Sequence, residues 1–213
     1  EEFYSKVDEW KQWYDGDVAK FHAYTIYNGQ KHLKMHRYGL GMAKKVCEDW
    51  ANLLLNEKVK ITLEGEAEQA FFDEVCRQNN FAVKGNELEE LTFEGGTSAI
   101  IVRAVDVPVN QQTGSVTGSG RLILDYAYMP NIYPLAWENG KISQCAFATH
   151  KVDGENKYVY VQIHRLNESK TYDIENYLFM DDNNVLSEVP LGTIAELADV
   201  APKISTGEQE RMF

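Results

Sequence analysis

The chain has 213 residues, a formal net charge of −12 at pH 7 and 44% apolar residues. This length and apolar content predict one domain, or one domain with a small appendage, around a sizeable core. The acidic balance disfavours general nucleic-acid binding, and three widely spaced cysteines at positions 47, 76 and 145 indicate neither a disulfide framework nor a zinc site, so a reducing compartment is expected.

Apolar spacing in the first half of the chain is mostly helical. Phe3, Val7, Trp10 and Tyr14 recur at helical intervals, and Asp15-Gly16 ends that segment. The following stretch "YNGQKHLKMHRYGLG" carries turn signals. The predicted elements of this half are helices over 2–14, 42–55, 66–80 and 86–96, and a strand over 59–65.

The stretch "MAKKVCEDWANLLLNEK" predicts an amphipathic helix with a wide apolar face. Its apolar residues form two adjacent stripes, and most of its polar residues lie on the opposite side. One stripe contains Met42, Val46, Trp50 and Leu53 or Leu54, and the other contains Ala43, Cys47, Ala51 and Leu55, while Lys44, Lys45, Glu48, Asp49 and Asn52 form the polar side.

From residue 97 the residue pattern changes to β-rich runs separated by turn residues. Strands are predicted over 98–109, 121–129 and 170–180, and the Gly/Ser/Thr-rich segment 110–120 predicts a mobile loop. Hairpins are predicted at Asn139-Gly140 and at Asp153-Gly154, with a further turn at 181–184. A short helix is predicted over 193–200, with Thr193 as N-cap and Glu196 in the capping-box position.

The predicted fold class is α+β, with N-terminal helices packed on a mainly antiparallel sheet built from hairpins. Residues 1–96 form the mainly helical part and residues 97–213 the mainly antiparallel β part. No apolar run approaches the roughly 18 residues that a membrane-spanning helix needs. Because the chain opens with Glu1 and stops at "GEQERMF", we expect it to be a fragment of a longer protein.

Residue sets that could carry catalysis or metal binding have a plainer structural reading. Cys47 lies on the apolar side of its helix, where a buried, inert thiol is expected rather than a nucleophile. Asp49 and Glu57 are too far apart along the helix for an acid pair. His32 and His36 would share a metal only on a helix, and they lack the Glu of an HExxH motif.

The basic cluster "KHLKMHR" has two readings. Lys31, Lys34 and Arg37 offer a possible contact to DNA or to a protein partner, and a solvated loop is the alternative. No calcium loop, phosphate-binding loop or dinucleotide fingerprint is present in register, so no cofactor and no metal are predicted.

The order of these elements resembles the portal protein of tailed bacteriophages of Gram-positive hosts, a family also called phage minor capsid protein. The resemblance runs over nearly the whole chain. The resemblance rests on the pair Gly95-Gly96 before an apolar strand and on two longer segments. The matching residues of the first segment are Met42, Ala43, Asp49, Ala51, Asn52, Leu53, Leu54, Asn56 and Glu57. Those of the second are Pro134, Leu135, Trp137, Asn139, Gly140 and Ile142.

The resemblance implies a structural subunit and not an enzyme. Portal proteins form a ring, typically of twelve subunits, at one capsid vertex; double-stranded DNA passes through it without sequence specificity. The terminase, the capsid and the head-completion proteins join the ring through the full-length chain. The location implied is the virion, and the host bacterial cytoplasm during assembly, with no membrane partner.

This chain would correspond to the N-terminal part of the wing, the outer domain of the portal subunit. No channel-lining or motor-docking residue is carried over from the family. Within this reading the helix around Met42, Asp49, Trp50, Asn52, Leu53, Leu54 and Glu57 is a core and assembly helix, with its polar residues as edge or cap groups. Two alternatives stay open: another virion or phage–host protein-binding module, and a cytoplasmic hydrolase using Cys47 or a histidine.

Overall fold

The computed structural model describes residues 2–56, 58–106, 120–183, 185–207 and 209–213. The chain divides into two compact units, residues 1–130 and 131–213. The predicted α+β class is confirmed. The boundary between the two units follows Pro130. The division at residue 96 proposed from the sequence marks a change in composition, from a mainly helical to a mainly β-rich pattern. The predicted loop at 110–120 lies, apart from Gly120, outside the described residues, as does Glu57.

The first unit combines five helices and four strands in its described residues. Helices α1, α3 and α5 pack against one another, α4 packs on α5, and α5 lies on the antiparallel pair β3–β4. The elements are α1 Glu2–Asp15, α2 Ala19–His22, β1 Ala23–Tyr27, β2 His32–His36, α3 Met42–Leu54, α4 Glu66–Gln78, α5 Phe81–Gly95, β3 Ser98–Val105 and β4 Arg121–Tyr128.

The strand predicted over 59–65 is wrong, because this segment has no strand assignment in the structure. Its backbone is bonded instead to one side chain of α4. The Leu63 N–H donates to Gln69 Oε1 at 2.7 Å, and Gln69 Nε2 donates to the Ile61 carbonyl at 3.3 Å. The alternating pattern suits a strand, but a strand also needs a neighbouring strand to bond with.

Helix α5 begins at Phe81, five residues before the predicted start at Asn86. Asn79, at the end of α4, holds the junction before it in place, because its side-chain amide donates to the Leu122 carbonyl at 3.0 Å and accepts from the Leu124 N–H at 2.9 Å. The helix ends as predicted at Gly95-Gly96, where Gly96 has a φ of 84°. A left-handed residue at this position is the usual helix stop, and glycine adopts it without strain.

The second unit is an antiparallel sheet in the order β10-β8-β7-β6-β5, with β9 also paired to β8. Its described residues include two single-turn 3-10 helices, at Leu191–Thr193 and Ala195–Leu197, and a third, Met129–Asn131, spans the unit boundary. The strands are β5 Ile132–Glu138, β6 Lys141–Asp153, β7 Asn156–Leu166, β8 Tyr172–Asp182, β9 Val185–Val189 and β10 Lys203–Ser205.

The hairpin predicted at Asn139-Gly140 is confirmed. Both residues have positive φ, 50° and 75°, which is the conformation that a two-residue type I′ turn requires. The next turn is displaced by one residue from the prediction, because Asp153 pairs with Asn156 and leaves Gly154 as the first turn residue, with a φ of 61°.

One face of this sheet is covered by residues that follow β9. Ile194 and Leu197 pack on Tyr158 and on Leu178, which is fully buried. The helix predicted over 193–200 is wrong. Two 3-10 turns replace it, because Ile194 is extended (φ −106°, ψ 125°) and Thr193 makes no capping bond. Burying Ile194 in the core takes precedence over continuing a helix.

The same face encloses His164, whose side chain is fully buried. The rings of Phe147 and Phe213 lie edge-on to its imidazole at 5.5 and 5.3 Å between centroids. Neither ring nitrogen has a hydrogen-bond partner within the described part of the chain. Burial lowers the pKa of His164 to about 4, so the imidazole is neutral at pH 7 and behaves as an aromatic core residue.

Within the described ranges, no helix has the length and apolar content needed to cross a bilayer.

Stability should depend on pH through His164. Its pKa in the folded chain is about 4, below the ordinary 6.5, so the unfolded chain binds the proton first as pH falls. The stabilisation is complete above about pH 6.5, and we expect about 3 kcal/mol of unfolding free energy to be lost by about pH 4. Urea unfolding at a series of pH values measures this.

His164→Leu should flatten that decline, whereas His150→Leu, at an exposed histidine of β6, should keep it. Asp173 contributes only at lower pH, because hydrogen bonds from Ser205, Lys203 and Asn167 lower its pKa to about 2. An identical slope in the two variants would show that other groups titrate in this window.

The end of α5 should not tolerate a side chain at Gly95. A Cβ there would lie 2.9 Å from Met129 Cβ. Gly95→Ala is therefore expected to lower the unfolding free energy by about 1–2 kcal/mol through overpacking. Gly192→Ala is the control, because a Cβ there meets no atom within 4 Å, and its effect should stay within about 0.5 kcal/mol. Thermal melts of both variants test the difference.

Candidate functional site

Helix α3 buries only one of its two apolar stripes. Ala51 is fully buried and Cys47 is 9% exposed. In the other stripe Met42 is 60%, Trp50 51% and Leu53 71% exposed. The sequence analysis grouped both stripes into one apolar face and did not predict that the larger side chains would be left in solvent.

The choice of stripe follows from how closely the helices pack. Small side chains such as those of Cys47 and Ala51 let α3 approach α1 and α5, and bulky ones would hold the helices apart. The larger residues are then turned outward, where the Trp50 ring lies 6.1 Å from that of Phe93 of α5. A signal was present in the sequence: Ala43, Cys47 and Ala51 repeat small residues every fourth position.

The exposed stripe is continued by the chain that enters α3. Tyr38 is 91% and Leu40 is 88% exposed, and Gly41, with a φ of 62°, turns the chain into the helix. We call the resulting set the α3 apolar surface; it consists of Tyr38, Leu40, Met42, Val46, Trp50 and Leu53. Exposed apolar surfaces of this kind typically contact another protein.

The polar site residues of α3 have local partners. Asp49 is paired with Lys45 at 2.7 Å, and both side chains are more than half exposed. Asn52 lies at the helix end, where Asn56 Nδ2 donates to its carbonyl at 2.5 Å and Asn86 Nδ2 donates to its side-chain oxygen at 3.4 Å. Asn86 also donates to the Leu55 carbonyl at 2.5 Å. These contacts satisfy carbonyls that a helix end leaves unpaired. Leu54 is 53% exposed.

The three basic candidates are not brought together. Lys31 lies in the β1–β2 turn, and Lys34 stands opposite Thr25 on one face of the hairpin. Arg37 is used within the protein: its Nη1 donates to the Phe21 carbonyl at 2.8 Å, and its guanidinium lies 4.3 Å from the centroid of the Tyr24 ring. A phosphate contact by all three side chains at once is therefore not prearranged.

The condition for a metal at His32 and His36 is not met, because both residues lie on strand β2 rather than on a helix. Residues four apart on a strand are separated by about 13 Å, too far to share an ion. The ring of His36 instead stacks on that of buried His22, at 5.7 Å between centroids.

Cys47 is buried, as expected from the sequence. Burial raises the pKa of its thiol, and the carboxylates of Glu90 and Glu94 raise it further. An activated cysteine nucleophile has the opposite shift, so nothing in this environment favours the hydrolase alternative.

The family model described as "Phage portal protein, SPP1 Gp6-like" matches residues 1–199 of the 213-residue chain. The chain belongs to this family of phage portal proteins. A comparison with curated proteins finds no match. This portal protein is therefore a structural protein of the virion, with a role in DNA packaging, and the matched range contains every helix from α1 to α5 and every strand from β1 to β9.

The basic residues of the hairpin should differ in what they do for stability. Arg37→Ala removes one hydrogen bond and two ring contacts, so we expect the unfolding free energy to fall by about 1 kcal/mol. Lys34→Ala, with an exposed side chain, should change it by less than about 0.5 kcal/mol. Urea unfolding of both variants measures this; equal effects would contradict the structural role of Arg37.

Proposed function

We propose that this portal protein is one subunit of a homo-oligomeric ring at a capsid vertex, the conduit through which double-stranded DNA is packaged and ejected. Membership of the portal family supports the ring; the resembled family typically has twelve subunits. The observation in this chain that carries the proposal furthest is the α3 apolar surface. Exposing Met42 and Leu53 to water, on a helix whose other stripe is packed, does not stabilise a monomer.

A ring imposes a specific kind of contact. Each subunit meets the next head to tail, so a surface on one subunit covers a different surface on its neighbour. The α3 apolar surface supplies one side of such a contact. Burying large apolar side chains there stabilises association at about 25 cal/mol per Å² of area removed from water. The polar groups beside it, the Asp49–Lys45 pair and Asn52, then lie at the edge of the contact.

The charge of the chain suits a conduit rather than a DNA-binding protein. The formal net charge is −12, and affinity for duplex DNA comes mostly from basic groups that neutralise phosphates. Lys31 and Lys34 are the exposed basic residues of the hairpin that remain available for a weak, sequence-independent contact with DNA or with a partner. DNA can pass such a surface without being held.

The remaining functions belong to the assembled ring. Capsid, terminase and head-completion proteins attach to it through the full-length chain, and the protein acts without a cofactor, a membrane partner or an enzymatic reaction of its own. Assembly takes place in the host bacterial cytoplasm, and the ring then stays in the virion.

Charging the α3 apolar surface should prevent ring formation without unfolding the subunit. Leu53→Asp, at a side chain 71% exposed, is expected to shift the protein at its natural length from a ring to smaller species. Its melting temperature as a monomer should stay unchanged, since the side chain is not packed. Light scattering combined with negative-stain images measures particle mass and shape.

The matched control is Val152→Asp, at an apolar side chain of β6 that is 72% exposed in the second unit. It should leave the ring intact. Rings of normal mass from Leu53→Asp would remove the α3 apolar surface from the subunit contact. A discrete monomer or dimer of the unsubstituted protein at high concentration would favour the reading as a protein-binding module of the virion instead.

A further inference from the structure

Residues of helices α1, α3 and α5 line a cleft in the first unit. Its volume is about 420 Å³. Aromatic side chains of α1 and α5 form most of its wall, and one carboxylate is part of the lining. The lining residues are Trp10, Trp13, Tyr14, Ala43, Cys47, Phe93, Glu94 and Gly96. We call it the aromatic cleft.

The aromatic walls are partly packed and partly open to solvent. Each of the three rings has one aromatic neighbour: Phe3 for Trp10, Phe21 for Trp13 and Trp50 for Phe93. Trp10 is 39%, Trp13 41% and Phe93 42% exposed. Large flat rings gain most when another flat or apolar group covers them. Three such rings around one cavity therefore provide faces on which a ligand could stack.

The acidic side of the cleft comes from α5. Glu94 is half-buried, and burial raises the pKa of its carboxyl group. In the described part of the chain its carboxylate has neither an ion pair nor a hydrogen bond. Glu90, one turn earlier, accepts a hydrogen bond from the Tyr14 hydroxyl. Burial raises the pKa of Tyr14 and of Cys47, and the two carboxylates raise both further.

The cleft already attracts cations from its own chain. Lys44 Nζ lies 5.4 Å from the centroid of the Tyr14 ring. Lys11, which lowers the pKa of Glu94 from a distance, is itself paired with Asp15 at 3.0 Å. Neither lysine forms an ion pair with Glu94, so the carboxylate in the lining remains available to a positive group that enters.

We propose that the aromatic cleft binds an arginine side chain presented by another polypeptide. A guanidinium is planar, stacks on aromatic faces and donates two parallel N–H groups to one carboxylate. Trp10, Trp13 and Phe93 supply the faces, and Glu94 supplies the carboxylate. A nucleic acid is excluded as occupant, because its phosphates would be repelled by Glu90 and Glu94.

The source of the arginine is a different protein rather than a second copy of these residues. The chain has six arginines, and each guanidinium is already engaged within its own subunit. Their partners are Phe21 and Tyr24 for Arg37, Glu74 for Arg77, Asp125 for Arg103, Asp106 for Arg121, Glu175 for Arg165 and Ile142 for Arg211. The acidic chain also speeds the approach of a basic partner through long-range attraction.

A blocked Ala-Arg-Ala tripeptide tests the proposal, with the same tripeptide carrying citrulline as its neutral isostere. The readout is the set of indole N–H signals in the NMR spectrum of the 213-residue chain, assigned by single Trp→Phe changes. We expect saturable shifts of the Trp10 and Trp13 signals with a dissociation constant of about 1 mM. The Trp137 signal, from the second unit, should not move, and the citrulline peptide should bind at least about tenfold more weakly.

Two variants of α5 test whether binding depends on the Glu94 carboxylate itself or on any carboxylate of that helix. Glu94→Gln should lose the same tenfold or more in affinity, since only the charge is removed. Glu87→Gln changes a carboxylate of the same helix that is exposed and paired with Lys84 at 2.7 Å, and it should bind like the parent chain. An unchanged Trp137 signal and amide spectrum check that each variant is folded.

Three results would overturn the proposal. Equal binding of the arginine and citrulline peptides would make the cleft an apolar groove without charge selectivity. Shifts of Trp10 and Trp13 that appear on concentrating the chain without peptide would identify a second copy as the occupant. The absence of shifts at about ten times the expected dissociation constant would leave the cleft without this ligand. None of these results depends on ring formation, so the proposed function is tested separately.

Discussion

The close approach of α3 to α1 and α5 is the constraint on which the first unit depends. It is made by small side chains, with Ala51 fully buried and Cys47 nearly so. Contact at this distance leaves no room for Met42 or Trp50 on the packed side. The packing that stabilises the unit therefore also turns its largest apolar residues outward, and the same three helices leave the aromatic cleft between them.

The second unit reaches its stability in a different way. Its hairpins place a continuous face of side chains over which the residues after β9 fold back, and buried Leu178 and His164 lie under that cover. His164 shows how an ionisable residue can be part of a core: with aromatic rings around it and no partner for its nitrogens in the described residues, only the neutral form fits. The unit is therefore built for neutral pH and loses stability in acid.

The chain is strongly acidic, and its arginines are bound to carboxylates, carbonyls or rings of their own subunit. The exposed stripe of α3 is apolar, and the aromatic cleft has an acidic side. Such surfaces suit protein partners better than a phosphate backbone.

The sequence by itself determined the α+β class, most helices, the Asn139-Gly140 hairpin and the stop at Gly95-Gly96, because these depend on local periodicity and on backbone angles that few residues adopt. The order of these elements was also enough to indicate the portal family. Tertiary structure alone decided three things. Residues 59–65 have no strand to pair with and are bonded to Gln69 instead. Burial of Ile194 breaks the predicted helix after β9. Finally, only one of the two apolar stripes of α3 is buried. It is the stripe of small side chains, because close helix packing favours them. This preference depends on neighbours about 40 residues away in sequence, so the stripe itself does not show which side is buried.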